Sequence, residues 1–308
     1  MNQPVVAITG ASGFIGQALV RHLGAQGWAV RSISRQNALA DSNTDVWVRA
    51  LDGAQAVVHL AAKAHQVNAR VRQDDQRFDD NLALTSALLR ACVQTSVRRL
   101  VFVSSIGVNG VRTNGQPFTE QDVPAPAEAY ARSKWQCEQH IRQVSSDSGL
   151  QHVIVRPPLV YGPQAPGNFG RLVRAVERGW PLPLGAVHNR RHFAGLDNLV
   201  DALALCLTHP DVVQKTFLLA DEEEVSTTDF LRLTAQAMGR SARLWPLPMP
   251  ALRTAARLLG HGDAMARLCD SLQVNSQVFR QCTGWQQPWT LAQGLERAMQ
   301  PLTPFSAP

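Results

Sequence analysis

Apolar positions along the chain follow two alternating periods. Short apolar runs are separated by longer stretches in which apolar residues recur every three or four positions. The runs read as strands buried on both faces, and the longer stretches as helices lying across them. The first run is Val5 to Ile8, and Phe14, Ile15, Leu19, Val20 and Leu23 then recur at helical spacing. Gly27 closes that helix, and "WAVRSIS" supplies the next strand. "DVWV" predicts a third strand leading almost directly into a fourth, "AVVHLAA", from Ala56 to Ala62. An amphipathic helix begins at Asn81 in "NLALTSALLRACV". "RRLVFVSSIGVNG" and "HVIVRPPLVYGP" read as the fifth and sixth strands, with one more helix between them. Strands alternating with helices in this way predict an α/β protein on a doubly wound parallel sheet.

Beyond Pro163 the pattern loosens, and Pro and Gly punctuate short helices. "LVDALALCLTHP" returns the chain to the main body, and "KTFLLADEEEVSTTDFLRLTAQAMG" predicts a strand, a solvated acidic turn and a capped helix. "GWQQPWTLAQGLERAM" reads as a terminal amphipathic helix. The pattern divides the chain into a larger unit, 1–163 with a return segment at about 192–212, and a smaller, mostly C-terminal α/β unit, 164–191 and 213–300, with a tail at 301–308.

A hydrophobic fraction of 45% and a charged fraction of 18% place the chain among ordinary globular proteins. No run of eighteen apolar residues exists, so no membrane-spanning helix is predicted. The opening "MNQPVVAITG" has no basic stretch before an apolar core, which argues against a signal peptide. Five scattered cysteines without a CxxC pair argue against a zinc site or a disulfide framework and fit a reducing cytoplasm. The net charge of +6 comes from singly spread arginines with no basic run interleaved with aromatics, so nucleic acid is not an expected partner. Scattered positive charge suits an anionic small ligand.

The first turn indicates which ligand. Gly10, Gly13 and Gly16 stand between a strand and a helix in "TGASGFIG". Glycines there let the backbone approach a dinucleotide pyrophosphate, which sits at the positive end of the helix. Further along, "AYARSKWQCE" pairs Tyr130 with Lys134, although the whole chain has two tyrosines and three lysines. Four residues apart on a helix, both face one way. A phenol can protonate the alkoxide formed when a ketone receives hydride. A neighbouring ammonium is expected to lower its pKa from about 10 toward the working range. Ser105, at the end of the fifth strand, can hydrogen-bond the substrate oxygen.

The spacing GxxGxxG and the Tyr-xxx-Lys pair resemble the extended branch of the short-chain dehydrogenase/reductase superfamily, from Val5 to about Met299. The resemblance implies a Rossmann sheet, a nicotinamide dinucleotide, a UDP-sugar substrate and a homodimer formed through helices near Asn81 to Val93 and Tyr130 to Val144. It selects Ser105 over Ser104 as the catalytic serine and implies that Lys134 bonds the nicotinamide ribose. The expected cofactor contacts are Gly10, Ser12, Gly13, Phe14, Ile15, Gly16, Arg35, Leu60, Ala61, Ala62, Asn81, Ser104, Tyr130, Lys134, Pro157 and Leu159. Arg35, where an acidic residue would suit the 2′-hydroxyl of NAD, favours NADP(H) over NAD(H). For the nucleotide sugar the resemblance points to Asn168, Leu184 and Arg191, with Arg190 as rival to Arg191; Arg267 is a further candidate for a phosphate. Tyr161 is expected to pack rather than react.

Acidic residues that would mark a dehydratase are replaced after Ser105 by Ile106 and Gly107. The segments "RSKWQCEQ", "RPPLVYGP", "PLPLGAVHNRR" and "DNLVDALALCLTHP" look most like reductases of UDP-2-acetamido-2,6-dideoxy-4-hexuloses, which serve bacterial surface polysaccharide synthesis. Such a 4-ketoreductase is the expected function. A UDP-hexose or UDP-HexNAc 4-epimerase is the alternative, and a non-catalytic dinucleotide sensor a third.

Overall fold

The glycine turn sits where the strand order of a six-stranded parallel sheet reverses. The computed structural model describes residues 3–33, 44–62, 71–260 and 262–300, with the side chains of 71–79 and 263 left aside. The strands are β1 (Val5–Thr9), β2 (Ala29–Ile33), β3 (Ala56–His59), β4 (Arg99–Val103), β5 (Gln151–Arg156) and β8 (Lys215–Leu218), in the order β2-β1-β3-β4-β5-β8. Every pairing is parallel. A short pair, β6 (Val160–Tyr161) and β7 (Ala194–Gly195), lies outside this sheet. The chain leaves β1 in one direction to form β2 and in the other to form β3. That divergence opens a crevice at the strands' carboxyl ends.

Parallel strands buried on both faces need helices on both faces. On one face, α1 (Phe14–Ala25) and α6 (Leu196–Thr208) bury Leu19, Leu23, Leu199 and Leu203 against Val6, Ile8, Val58 and Val101. On the other, α2 (Thr44–Leu51), α3 (Val71–Gln94) and α4 (Ala129–Ser148) bury Trp47, Leu88, Cys137 and Ile141 against Ala7, Val57, Leu100 and Ile154.

Three expectations are corrected. "DVWV" is part of α2 and not a strand. Its β-branched residues favour a strand locally, but Trp47 and Leu51, one helical turn apart, are both fully buried, and that burial decides the conformation. The helix expected from Asn81 starts earlier, at Val71. The strand Lys215–Leu218, placed with the smaller unit by its pattern, is hydrogen-bonded to β5 and forms an edge of the main sheet.

The remaining helices are α5 (Gly167–Glu177), α7 (Thr227–Ala237), α8 (Met249–Leu258), α9 (Gly262–Cys269), α10 (Gln277–Thr283) and α11 (Leu291–Met299). Tyr161, Phe169, Phe193 and Phe230 form an aromatic cluster among them with Leu291 and Leu295. The acidic turn after β8 is not simply solvated. Asp221 is buried and accepts hydrogen bonds from Tyr161 Oη at 2.7 Å, Asn198 Nδ2 at 2.8 Å and the Gly195 amide at 3.0 Å. Burial and the adjacent carboxylate push the Tyr161 phenol far up, so it stays a neutral donor.

Gly10 has φ of +73°, and a Cβ there would lie 2.8 Å from the Ala61 amide nitrogen. A Cβ on Gly16 would lie 2.1 Å from the Gly10 carbonyl oxygen, a backbone atom with no freedom to move aside. Gly16→Ala is therefore expected to destabilise by about 1–3 kcal/mol. Gly24→Ala, in the same helix with nothing within 4 Å of the new methyl, is expected to gain about 0.5–1 kcal/mol. Thermal unfolding of the two variants measures the contrast, and equal midpoints would contradict it.

Candidate active site

The N-terminus of α1 is capped by the Gly13 backbone without a side-chain hydrogen bond. Its first amides face the crevice, with Ser12 and Gly13 exposed and Phe14 and Ile15 half-buried. Leu60, Ala61 and Ala62 line the opposite lip, half-buried at the end of β3. Small side chains, an uncapped helix end and a glycine cradle fit a dinucleotide pyrophosphate. The two lips are tied together. The Ala61 amide donates to Thr9 Oγ1 at 3.3 Å, and Thr9 Oγ1 shares a 2.6 Å hydrogen bond with His59 Nδ1. His59 Nε2 meets Thr85 Oγ1 at 3.1 Å, and that hydroxyl also reaches the Asn81 carbonyl at 2.8 Å. Burial, then the nearby Lys134, lowers the His59 pKa to about 3, so the ring is a neutral link and not a titrating base at neutral pH. Arg35, the basis for expecting NADP(H), lies outside the described residues.

The Tyr130–Lys134 pair stands at the start of α4. Tyr130 is half-buried, and Lys134, one turn on, is 2% exposed. The Lys134 ammonium donates to the Val103 carbonyl at the end of β4 at 2.9 Å. It lies 4.5 Å from the Phe102 ring centre and 5.8 Å from that of Tyr130. Burial lowers the Lys134 pKa to about 8 and pushes the Tyr130 phenol up to about 12. The expected lowering of the phenol pKa is thus absent in the protein by itself. Desolvation of the phenol prevails over an ammonium that is itself disfavoured by burial.

The adjacent serines diverge, as neighbours on a strand do. Ser104 is buried and donates to Glu138 Oε1 at 2.6 Å, which takes its hydroxyl away from the cofactor side where it had been expected. Ser105 stays half-buried and accepts from the Gly107 amide at 3.1 Å, capping a short 3-10 turn, Ile106–Val108. A Cβ on Gly107 would lie 3.2 Å from Ala131 Cβ and 3.4 Å from Ser105 Oγ. The turn carrying Ser105 therefore abuts the residue next to Tyr130.

A buried network centred on Glu138 fixes this arrangement. Glu138, two turns beyond Tyr130, is fully buried. Arg156 of β5 grips it with two hydrogen bonds, 2.8 Å to Oε1 and 2.6 Å to Oε2. Arg156 also donates to Asn109 Oδ1 at 2.9 Å, and Arg142 adds 3.0 Å to Glu138 Oε2. One carboxylate thus joins α4, β4, β5 and the loop after Ser105. Spacing alone could have suggested Glu138, which continues the Tyr130–Lys134 face by four residues; its partner Arg156 could not be read locally.

The other expected contacts divide. The Ile106 amide donates to the Pro157 carbonyl at 3.0 Å and the Ala194 amide to that of Leu159 at 3.0 Å, so both line the strand-end region through their backbones. Asn81 is buried, and its amide donates to Ser133 Oγ at 3.2 Å, joining α3 to α4. Asn168 is exposed and does not cap α5, whose N-cap is Pro166. Leu184 is buried among Val176, Val187 and Leu231, so its side chain offers no face to a base. Arg191 is nearly buried and donates to the carbonyls of Arg267 at 2.7 Å and Asp270 at 2.8 Å. That guanidinium is a clamp on the chain and not a free phosphate grip. Its rival Arg190 is the exposed one, paired with Glu224. Arg267 reaches Glu128 at 2.9 Å, just before the helix that bears Tyr130.

Glu138→Gln leaves Arg156 buried without its counter-charge, an expected loss of about 3–5 kcal/mol. Ser104→Ala removes one bond to that carboxylate, an expected loss of about 1.5–3 kcal/mol. Denaturant titration orders the two variants, and an equal loss would remove the special weight of the ion pair. Stability should also depend on Lys134. Its pKa is lowered from 10.5 in the unfolded chain to about 8, so between those values the unfolded state binds more protons and stability rises with pH. Wild type is expected to gain on Lys134→Met from pH 8 toward pH 10 in urea titrations, below the range where Tyr130, raised from 10.0 to about 12, acts oppositely.

A model of the NAD dependent epimerase/dehydratase family matches residues 6–220. The UDP-glucose 4-epimerase of Vibrio cholerae is 33% identical over 310 positions, covering 96% of this chain and 94% of that protein. The N-acetyl-alpha-D-glucosaminyl-diphospho-ditrans,octacis-undecaprenol 4-epimerase of Escherichia coli O157:H7 is 24% identical, covering 97% and 95%. Among solved structures, UDP-N-acetylglucosamine 4-epimerase from Bacillus cereus shares the fold with a TM-score of 0.78 at 21% identity, over 96% of both chains. With its glycine turn, its Tyr130–Lys134 pair and a family match across most of its length, the chain belongs to the NAD dependent epimerase/dehydratase family.

Proposed function

We propose that this protein interconverts a UDP-hexose or UDP-N-acetylhexosamine with its C4 epimer, using a nicotinamide dinucleotide retained through the cycle. The observation that carries this reading is the 33% identity, over nearly all of both chains, to a UDP-glucose 4-epimerase. The sequence expectation placed one-way reduction of a 4-keto sugar first and epimerisation second; the relatives support the second better. The preference for NADP(H) rested on Arg35; solved neighbours are complexed with NAD or with NADPH, which supports a nicotinamide dinucleotide of either form.

The residues suit the chemistry. Gly10, Gly13, Gly16 and the α1 amides would hold the pyrophosphate, with Lys134 beside the nicotinamide ribose. A bound oxidised nicotinamide dinucleotide supplies the hydride acceptor and a second positive charge near the phenol. With a cation beside it, Tyr130 would stand as the phenolate and take the proton of the C4 hydroxyl as that carbon is oxidised, becoming the neutral phenol, and Ser105 would hold the resulting ketone oxygen. Once the keto sugar has turned its other face, Tyr130 returns the proton as C4 is reduced. The phenol must work in both directions, so its charge cannot be fixed permanently by the protein. Burial raises the phenol's pKa and a cation beside it lowers it, so the balance between the two can shift within the cycle.

Incubation of the purified protein with UDP-glucose and UDP-N-acetylglucosamine, read by proton NMR, is expected to give the C4 epimers with no net change in nicotinamide absorbance. Tyr130→Phe is expected to lower kcat by about 10²–10⁴-fold. Stoichiometric NADPH oxidation with a UDP-4-keto-6-deoxy sugar, without epimer formation, would return the reading to the reductase.

A further inference from the structure

The part of the chain around α8 departs from the rest of the surface. Nine large apolar side chains are exposed among the described residues, and four of them fall between 245 and 259. Trp245 is 67% exposed, Leu247 37%, Leu258 83% and Leu259 72%. A fifth, Trp180 at 54%, lies on a segment bridged to this one. Leu182 bridges Leu244, the Trp245 amide donates to the Leu182 carbonyl at 2.8 Å, and the Gly185 amide to the Trp245 carbonyl at 2.9 Å. The two tryptophans therefore come from adjoining extended segments.

The charge of this region is one-sided. Residues 240–262, "RSARLWPLPMPALRTAARLLGHG", contain four arginines and no acidic residue. Leu252 and Ala256 are the buried positions of α8. At about 100° per residue, Arg257 and Leu258 project on the opposite, outer side. Arg253 ties the helix to the body through Asp270 at 2.8 Å, so the patch is held in place. Arg178 lies over the Trp180 ring, 5.3 Å from its centre.

We infer that this surface docks peripherally on an anionic lipid bilayer. Exposed leucines and tryptophans are the side chains that enter the headgroup and acyl boundary, where an indole has both an apolar and a wet environment. Arginines beside them lay their stems along the boundary and hold their charges at the lipid phosphates. The acid-free stretch complements a negative surface. Ser241 and Thr254 are its only hydroxyl side chains, and the Thr254 hydroxyl donates to the Pro250 carbonyl at 2.9 Å, which leaves few polar groups for a protein partner to recognise. No helix among the described residues is long and apolar enough to cross a membrane. The attachment is therefore superficial, and it does not depend on the sugar the active site accepts.

Co-sedimentation of the full chain with phosphatidylcholine vesicles, with and without phosphatidylglycerol, tests this. Binding is expected to the anionic vesicles and to weaken as salt is raised. Leu258→Glu with Leu259→Glu is expected to reduce the bound fraction at least tenfold, and Arg243→Ser with Arg257→Ser to reduce it for anionic vesicles. The thermal midpoint of each variant should stay at the wild-type value, because all four side chains are exposed. Absence of binding to anionic vesicles, or equal binding to both vesicle types, would overturn the inference. So would concentration-dependent dimerisation abolished by the leucine variant in a protein that ignores vesicles, which would assign the patch to a second copy of the chain.

Discussion

Glu138 is the point on which the reactive end of the molecule depends. Its carboxylate is fully buried, where a lone charge would be costly, and it is stable there because Arg156, Ser104 and Arg142 surround it with donors. Those donors come from β5, β4 and α4 itself. The bonds therefore fix the height of α4 against the ends of the strands, and with it the place of Tyr130 and Lys134. They also hold the turn that follows Ser104, which carries Ser105 against the residue next to Tyr130. An ion pair of this kind is weak evidence of net stability. Its value here is geometric: it couples three elements whose relative position the chemistry requires.

The cofactor side has a comparable but uncharged link. Thr9, His59 and Thr85 form a buried chain between the end of β1, the end of β3 and α3. His59 stacks on Phe102, with ring centres 5.5 Å apart, and the Lys134 ammonium lies 4.5 Å from the Phe102 ring centre. The same aromatic ring thus neighbours both the neutral imidazole and the ammonium. A protonated His59 beside Lys134 would place two cations in an apolar setting, which is why burial and Lys134 both press it toward the neutral form.

The smaller unit uses its polar groups mainly to hold itself together. Asp221, Arg191 and Thr228 each bind main-chain groups from segments far apart in sequence. The irregular segments between its short helices leave amides and carbonyls without regular partners, and buried side chains satisfy them. Arg191 is therefore not available merely because it is an arginine, while its neighbour Arg190 stays exposed and pairs with Glu224.

Local pattern was enough for the parallel sheet, the glycine turn and the shared helix of Tyr130 and Lys134, because each depends on short-range spacing: period two or 3.6, glycine at a left-handed turn, four residues per helical face. It failed wherever a residue's role depends on a partner distant in sequence. Trp47 and Leu51 gave a helix because α3 lay beside them; Leu184 was lost to the core and Arg191 to carbonyls at 267 and 270. Tyr130 shows the same limit in energetic form. Its neighbour Lys134 could be counted along the helix, but the desolvation that sets the phenol's proton affinity is a property of everything packed around it. Spacing along one chain names the groups that can meet, and only the packed fold decides which of them are wet, buried or already bonded.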